Sequence, residues 1–341
     1  MTGDQREHVH LAPRAEGTMS GTGGRFTSVE LCAGLGGQAL GLERAGFDPV
    51  LLLDSNPVAC ETLRVNRPQW HVIQEDFLDF DPLEHPACLD VDLLSVGLPS
   101  QPYSTAGLKR GAAPGRDPLM AALYAAAAIR PKALLFECTT SLRKDLRFLD
   151  LRQEAFEELK HQGFTHFWAD LDAQHFGVPQ RRESALLVAF RGAAADSFTW
   201  PRPLFESGPT MGEALRDSMA ADGWPGADTW AEHACEVSPT VVGGSKQHGG
   251  ADLGPTGSKK AFARLGVNGI SLGDRPPALD FPIDGSPRLT LEQIAILQGI
   301  PTHWTVCGGK TVRYRQLGNA MPPALAEAVG RQVAAALGAG P

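Results

Sequence analysis

Ser28-Val29-Glu30-Leu31-Cys32-Ala33-Gly34-Leu35-Gly36-Gly37 carries a short apolar strand into a glycine-rich turn, and the helical spacing of Gln38–Ala45 follows at once. Such a turn lets backbone amides approach a ligand closely at the positive N-terminal end of a helix. The spacing is not the G-x-G-x-x-G dinucleotide form and lacks the G-K-[ST] of a phosphate loop. Outward from it, Val50–Leu53, Val91–Val96, Ala133–Phe136 and Ala185–Phe190 read as further buried strands. Pro57–Asn66, Leu119–Ile129 and Leu151–Gln162 have helical spacing between them. Continuous apolar strands alternating with helices predict an α/β fold, with a mostly parallel sheet covered on both faces.

Two acids extend the glycine turn into a candidate site. Asp54 ends the second strand, where a carboxylate reaches ribose hydroxyls, and Ser55 adjoins it. Asp76, followed by Phe77, comes after the third expected strand, where an acid would meet an adenine amino group. The bland alternative for each acid is a helix cap. Together with Leu31, Cys32, Ala33, Gly34, Leu35, Gly36 and Gly37 they point to a nucleoside-type cofactor.

The chain has 341 residues, with 31 Lys and Arg against 39 Asp and Glu, a formal net charge of −8. That length suits one large domain and a smaller one. At 43% hydrophobic and 21% charged residues, the composition is that of a globular protein rather than a disordered one. No apolar run approaches the roughly 20 residues of a membrane span, and the first residues lack a signal peptide's apolar core. Six cysteines without a CxxC pair argue against a zinc site and a disulfide framework, and suit reduced thiols in a cytoplasm. The acidic balance disfavours indiscriminate nucleic-acid binding while leaving room for a local basic face.

Residues 1–25, with Thr-Gly, Ser-Gly and Gly-Gly steps, are expected to be a flexible leader. Residues 26–195 form the first domain. Residues 196–287, rich in Gly, Pro and polar side chains and with little periodicity, are expected to be a second one. Helical character returns at Leu289–Leu297 and Ala324–Leu337, so 288–341 should complete the first domain.

From Gly97-Leu98-Pro99-Ser100-Gln101-Pro102-Tyr103-Ser104 onward, the chain resembles the bacterial DNA cytosine methyltransferases that act at ring carbon 5. Leu31–Gly37 is similar to that family's cofactor loop, and Pro99-Ser100-Gln101 sits where the family has Pro-Cys-Gln. Phe136-Glu137-Cys138-Thr139 stands at its Glu-Asn-Val. Gln180-Arg181-Arg182-Glu183-Ser184 stands at its Gln-x-Arg-x-Arg. Arg288–Pro301 resembles the segment supporting target recognition, and Gln316–Pro323, with Asn319 and Ala320, the motif that returns to the cofactor. Six strings in the family's order carry the resemblance.

The resemblance implies a Rossmann-like, doubly wound catalytic domain of the class I S-adenosylmethionine-dependent type, with 196–287 an inserted recognition domain. It implies S-adenosylmethionine as cofactor, S-adenosylhomocysteine as product, and a cytosine flipped out of double-stranded DNA, because a stacked duplex shields the reacting atoms. Glu137 and Arg182 would hold that base. Lys246, Lys259, Lys260 and Arg264, with Arg313 beyond them, form the expected phosphate-contacting strip. A monomer is expected, a partner subunit being the alternative.

Three positions depart from the family's pattern: Ser100 for the nucleophilic Cys, Cys138 for the Asn and Ser184 for the second Arg. A thiol, with an ordinary pKa of about 8.5, adds to ring carbon 6 far more readily than a hydroxyl, which needs an adjacent base. His85 and His175 are the sequence-near candidates for one, and Cys138 is a candidate relocated nucleophile. Ser100-Gln101-Pro102-Tyr103 also resembles the Ser/Asp-Pro-Pro-Tyr string of amino-nitrogen methyltransferases, where Tyr103 would stack the base. The readings left open are methyl transfer at carbon 5 or the amino nitrogen, a transfer-dead member that binds cofactor and DNA, and a Rossmann-like enzyme acting on a nucleoside or RNA.

Overall fold

The structure, a computed structural model, describes residues 25–103, 117–243 and 250–339. The expected leader therefore falls outside the described residues, apart from Arg25. The first half alternates strands and helices in the order β1 (Phe26–Leu31), α1 (Gly37–Arg44), β2 (Phe47–Asp54), α2 (Pro57–Asn66), β3 (Val72–Gln74), β4 (Leu93–Gly97), α3 (Pro118–Ile129) and β5 (Ala133–Cys138). Then come α4 (Thr140–Lys144), α5 (Leu149–His161), β6 (Phe164–Asp172), β7 (Glu183–Arg191) and α6 (Ala194–Ser197). Caps written in the sequence start these helices: Asn56 and Pro57 open α2, and Asp117 and Pro118 open α3.

The seven strands form one sheet in the order β3-β2-β1-β4-β5-β7-β6. The pairs β2–β3, β1–β2, β1–β4 and β4–β5 are parallel, while β7 runs antiparallel to both its neighbours. The expected mostly parallel, doubly wound sheet is what the chain forms. Strand order reverses between β1 and β4, which opens a crevice outside their carboxyl ends, where ligands bind in such sheets. Because β7 is reversed, its first residues reach that same edge: Cys138 pairs with Ala185 and Glu137 with Leu186.

Alternate residues feed opposite faces, as the pleat requires. Leu134 and Phe136 of β5 pack with α3 and α5 residues such as Leu123 and Leu159, whereas Ala133 and Leu135 pack with Leu325 and Val329. Those last two belong to α12 (Pro323–Gly338), which lies along α1.

Residues 196–287 are more regular than their composition suggested. They hold α7 (Met211–Ala220), α8 (Ala227–His233) and α9 (Thr256–Arg264), followed by α10 (Leu291–Leu297) and α11 (Lys310–Asn319). The α7 start is a capping box, in which Thr210 and Glu213 each satisfy the other's backbone amide. Met211, Leu215, Trp230 and Phe262 join Leu289, Ile294 and Leu317 in one core that continues to Leu35, Leu40 and Leu63.

Candidate active site

At the end of β1 the backbone turns through Gly34 (φ 57°) and Gly36 (φ 92°), left-handed conformations that glycine adopts without strain, and through Cys32 (φ 55°), where the Cβ makes the same conformation costlier. Ala33 donates to the Leu53 carbonyl at 3.0 Å, and Gly34 donates to Oδ2 of Asp54 at 2.8 Å. The other oxygen, Oδ1, accepts from the Asn56 amide at 2.8 Å. Asp54 thus ties the glycine loop, through the Gly34 amide, to the turn that opens α2, through the Asn56 amide, a task the strand-end reading did not assign to it. A Cβ on Gly34 would meet nothing within 4 Å, so the loop presents open space there, the room a bound nucleoside requires. A Cβ on Gly37 would run into the Met321 carbonyl oxygen and lie 3.4 Å from the Ala320 Cβ, which brings the Asn319–Ala320 segment against the loop.

Burial, and then the charges of Asp54 and Asp76, push the Cys32 thiol far up, which keeps it protonated. Asp76 and Ser55 are exposed at this edge, where Asp76 also accepts from the Leu78 amide at 3.0 Å. Phe77, by contrast, is in the core, as are Leu31 and Leu35. Two supports escaped the sequence reading. Trp304 donates its indole N–H to the Leu35 carbonyl at 2.9 Å, from 269 residues away. Beneath the loop, Gln38 of α1 bonds Ser95 of β4, which with Ser28 bonds the buried carboxyl of Glu30; burial pushes that carboxyl up to about 7.

On the other side of the crevice, Pro99, Ser100 and Gln101 leave β4 in a turn closed by the Tyr103 amide on the Ser100 carbonyl at 3.1 Å. Ser100 and Gln101 are exposed. No histidine bonds Ser100 among the described residues: His85 stacks on Phe80, and Nδ1 of His175 is engaged with the Phe205 carbonyl. Tyr103 departs from the stacking role expected of it. Its ring is 1% exposed and edge-on to Phe148; its hydroxyl donates to Asp117 at 2.9 Å and accepts from the Leu119 amide at 3.0 Å. A tyrosine so committed anchors the turn to α3 instead of facing the crevice.

Glu137 stands at the end of β5. Ser184 Oγ donates to its Oε1 at 2.8 Å. Burial pushes the Glu137 carboxyl upward, against the opposing pull of the Arg182 charge and the Ser184 bond. Arg182 spends Nη1 on two carbonyls, Gly318 at 3.0 Å and Val241 at 3.2 Å, while its buried Nε has no partner among the described residues. Cys138 points the other way, into the core, with Sγ on the Ala185 carbonyl at 3.3 Å and its thiol pushed well up by burial. That rules against it as a relocated nucleophile, since a thiolate is the reactive form.

The expected basic strip is partly neutralised by acids. Lys259 pairs with the nearby Asp252 at 2.9 Å and Arg313 with Glu292 at 3.3 Å; outside the expected strip, Lys310 pairs with Asp274 at 2.8 Å. Lys260 and Arg264 on α9 are exposed without an ion pair among the described residues. Lys246 and Ser104 lie outside the described residues. Among the described residues no cluster of ligating side chains suits a metal ion, and no helix is long and apolar enough to cross a membrane.

Residues 26–335 match the C-5 cytosine-specific DNA methylase family. The chain is 45% identical to the type II methyltransferase M.NaeI of Lentzea aerocolonigenes, over 91% of this chain and 75% of that protein. It is 40% identical to M.NgoMIV of Neisseria gonorrhoeae, over 92% and 98% respectively. The structure also superposes on the Entamoeba histolytica methyltransferase EhMeth with a TM-score of 0.64, at 13% identity, over 91% of this chain and 98% of that one; this likeness bears on the fold alone. The chain thus belongs to the C-5 cytosine-specific DNA methylases, S-adenosylmethionine-dependent DNA cytosine methyltransferases, and carries Ser100 where the resemblance places the nucleophile.

Proposed function

We propose that the chain transfers methyl to carbon 5 of a cytosine flipped from double-stranded DNA, at a rate limited by Ser100. The convergence of Ser100, Glu137 and Arg182 on the sheet edge that also carries the glycine loop supports this reading. The open space at Gly34 and the acids Asp54 and Asp76 would hold the nucleoside part of S-adenosylmethionine. Bound there, the cofactor supplies an electrophilic methyl group. Glu137, when protonated, gives its proton to the base's ring nitrogen: its O–H bond breaks and an N–H bond forms. Ring carbon 6 then becomes more electrophilic. Ser100 Oγ adds to that carbon, forming a C–O bond while its O–H bond breaks and the proton passes to solvent water; the want of an engaged base on the exposed Ser100 makes this step slow. Residues 196–287, with Lys260 and Arg264, would read and hold the DNA. The buried Tyr103 ring weighs against transfer to the amino nitrogen, which would call for an aromatic facing the base.

A second reading, a member that binds cofactor and DNA without transfer, is favoured by the same unassisted hydroxyl. Labelled S-adenosylmethionine, mixed-sequence duplex DNA and mass spectrometry of the digested nucleosides separate the two. Slow accumulation of 5-methylcytosine, reduced about 10²-fold or more by E137Q, is expected. Full activity in E137Q would remove Glu137 from the base pocket, and no product with cofactor bound would establish the second reading.

A further inference from the structure

Glu137 and Ser184 lie on adjacent antiparallel strands, and Glu137 faces Leu186, two residues beyond Ser184, so the two are diagonal neighbours on one face. Ser184 is 2% exposed, and its hydroxyl is aimed at Glu137. The family motif would put an arginine at this position. Here a neutral donor takes that place. We propose that Ser184 is a positioning residue for Glu137, fixing the direction of its carboxyl and its readiness to hand a proton to the base.

The groups that face the carboxyl set its proton affinity. Among the described residues, Arg182 is the cation acting on it. Glu183, next along the chain, is turned toward Lys144 at 3.6 Å. Gly97 of β4, opposite Glu137, carries no charge, and Asp170 of β6 is held by Arg143 and Lys144. A guanidinium at position 184 would add a second cation and hold Glu137 ionised. A hydroxyl instead supplies one directional bond, which favours the carboxylate less than a full charge does. Glu137 is thereby left closer to the protonated form that gives a proton to the ring nitrogen. This offsets part of what a serine nucleophile lacks, because a protonated base is the easier target for a poor nucleophile.

The proposal rests on Glu137 contacting the base, but its test does not require turnover. The Glu137 side-chain carboxyl is titrated by carbon-13 NMR in full-length protein with S-adenosylhomocysteine, and E137Q identifies its signal. S184A, which removes the donor to the carboxylate, is expected to raise the midpoint by about one pH unit. S184T, which restores a hydroxyl, is expected to return it to the unaltered value, and both variants should keep the unaltered affinity for S-adenosylhomocysteine. A midpoint unmoved by S184A, or moved equally by S184T, would reduce Ser184 to packing and overturn the proposal. Failure of the base-contact reading is separate: it would appear as full methyl transfer by E137Q while S184A still moves the titration.

Discussion

At the carboxyl end of β1 the cleft is shaped by backbone: left-handed turns at Cys32, Gly34 and Gly36, a carbonyl pressed against Gly37, and the Asp54 carboxylate on two amides. At the ends of β4, β5 and β7 it is furnished by side chains: Ser100, Glu137, Arg182 and Ser184. The first region carries the string that resembles the family's cofactor loop, and the second holds Ser100, Cys138 and Ser184, the three positions where the resemblance would place other residues. The strands beneath the second region are intact, since Glu137 and Ser184 still meet across β5 and β7. A pocket's walls can therefore persist while the chemistry inside changes, because the walls depend on backbone approach and the chemistry on a few side-chain atoms.

The contrast is broken most severely at Gly37. A Cβ there overlaps a backbone carbonyl that no side-chain motion can clear, so Gly37→Ala should cost about 3 kcal/mol in thermal or denaturant unfolding and weaken cofactor binding with it. A melting temperature equal to the unaltered chain's would show that the loop and the Met321 segment can part freely. Glu30 sharpens the comparison from below. Its folded pKa of about 7, above the ordinary 4.5, means the folded state binds the proton more tightly. The resulting stabilisation is complete below pH 4.5 and lost as pH rises through 7, on the order of 3 kcal/mol in all. Glu30→Gln should flatten that decline between about pH 5 and 8 in urea melts; an equally steep decline would assign it to other groups.

Smaller effects follow at the cleft surface. Asp54→Ala frees two amides of their acceptor and should raise the S-adenosylhomocysteine dissociation constant by about tenfold or more in calorimetry. An unchanged constant would leave the loop's shape to the glycines alone. Lys260→Ala with Arg264→Ala, both exposed and without ion pairs among the described residues, should make log affinity for duplex DNA fall less steeply with log salt. The slope should drop by about 0.9 for each phosphate the protein no longer neutralises. Lys259→Ala, already paired with Asp252, should do less; the reverse ranking would misplace the phosphate-facing side of α9.

The sheet's centre was readable because strands buried on both faces are continuous apolar runs: the parallel β1, β2, β4 and β5 each carry one, and so does the antiparallel β7. β6 was not, since Phe164–Asp172 is an edge strand, half-buried along most of its length and interspersed with Thr165, His166, Asp170 and Asp172. Thr210 and Glu213 held a legible helix-start signal at α7, obscured by the Gly and Pro around it. The site's members were visible as motif positions, but their directions were not. Tyr103 turning into the core, Arg182 tied to Val241 and Gly318, and Arg313 meeting Glu292 all depend on tertiary partners that no local spacing encodes.

The most direct measurement compares 5-methylcytosine formation by the unaltered chain and by S100C, at equal S-adenosylhomocysteine affinity, in one nucleoside mass-spectrometry assay. If the cofactor side is intact and the chemistry is limited at Ser100, S100C should methylate carbon 5 at least about 10³-fold faster with its cofactor affinity unchanged. Equal rates in the two proteins, with both binding cofactor, would contradict this and put the altered step at another residue.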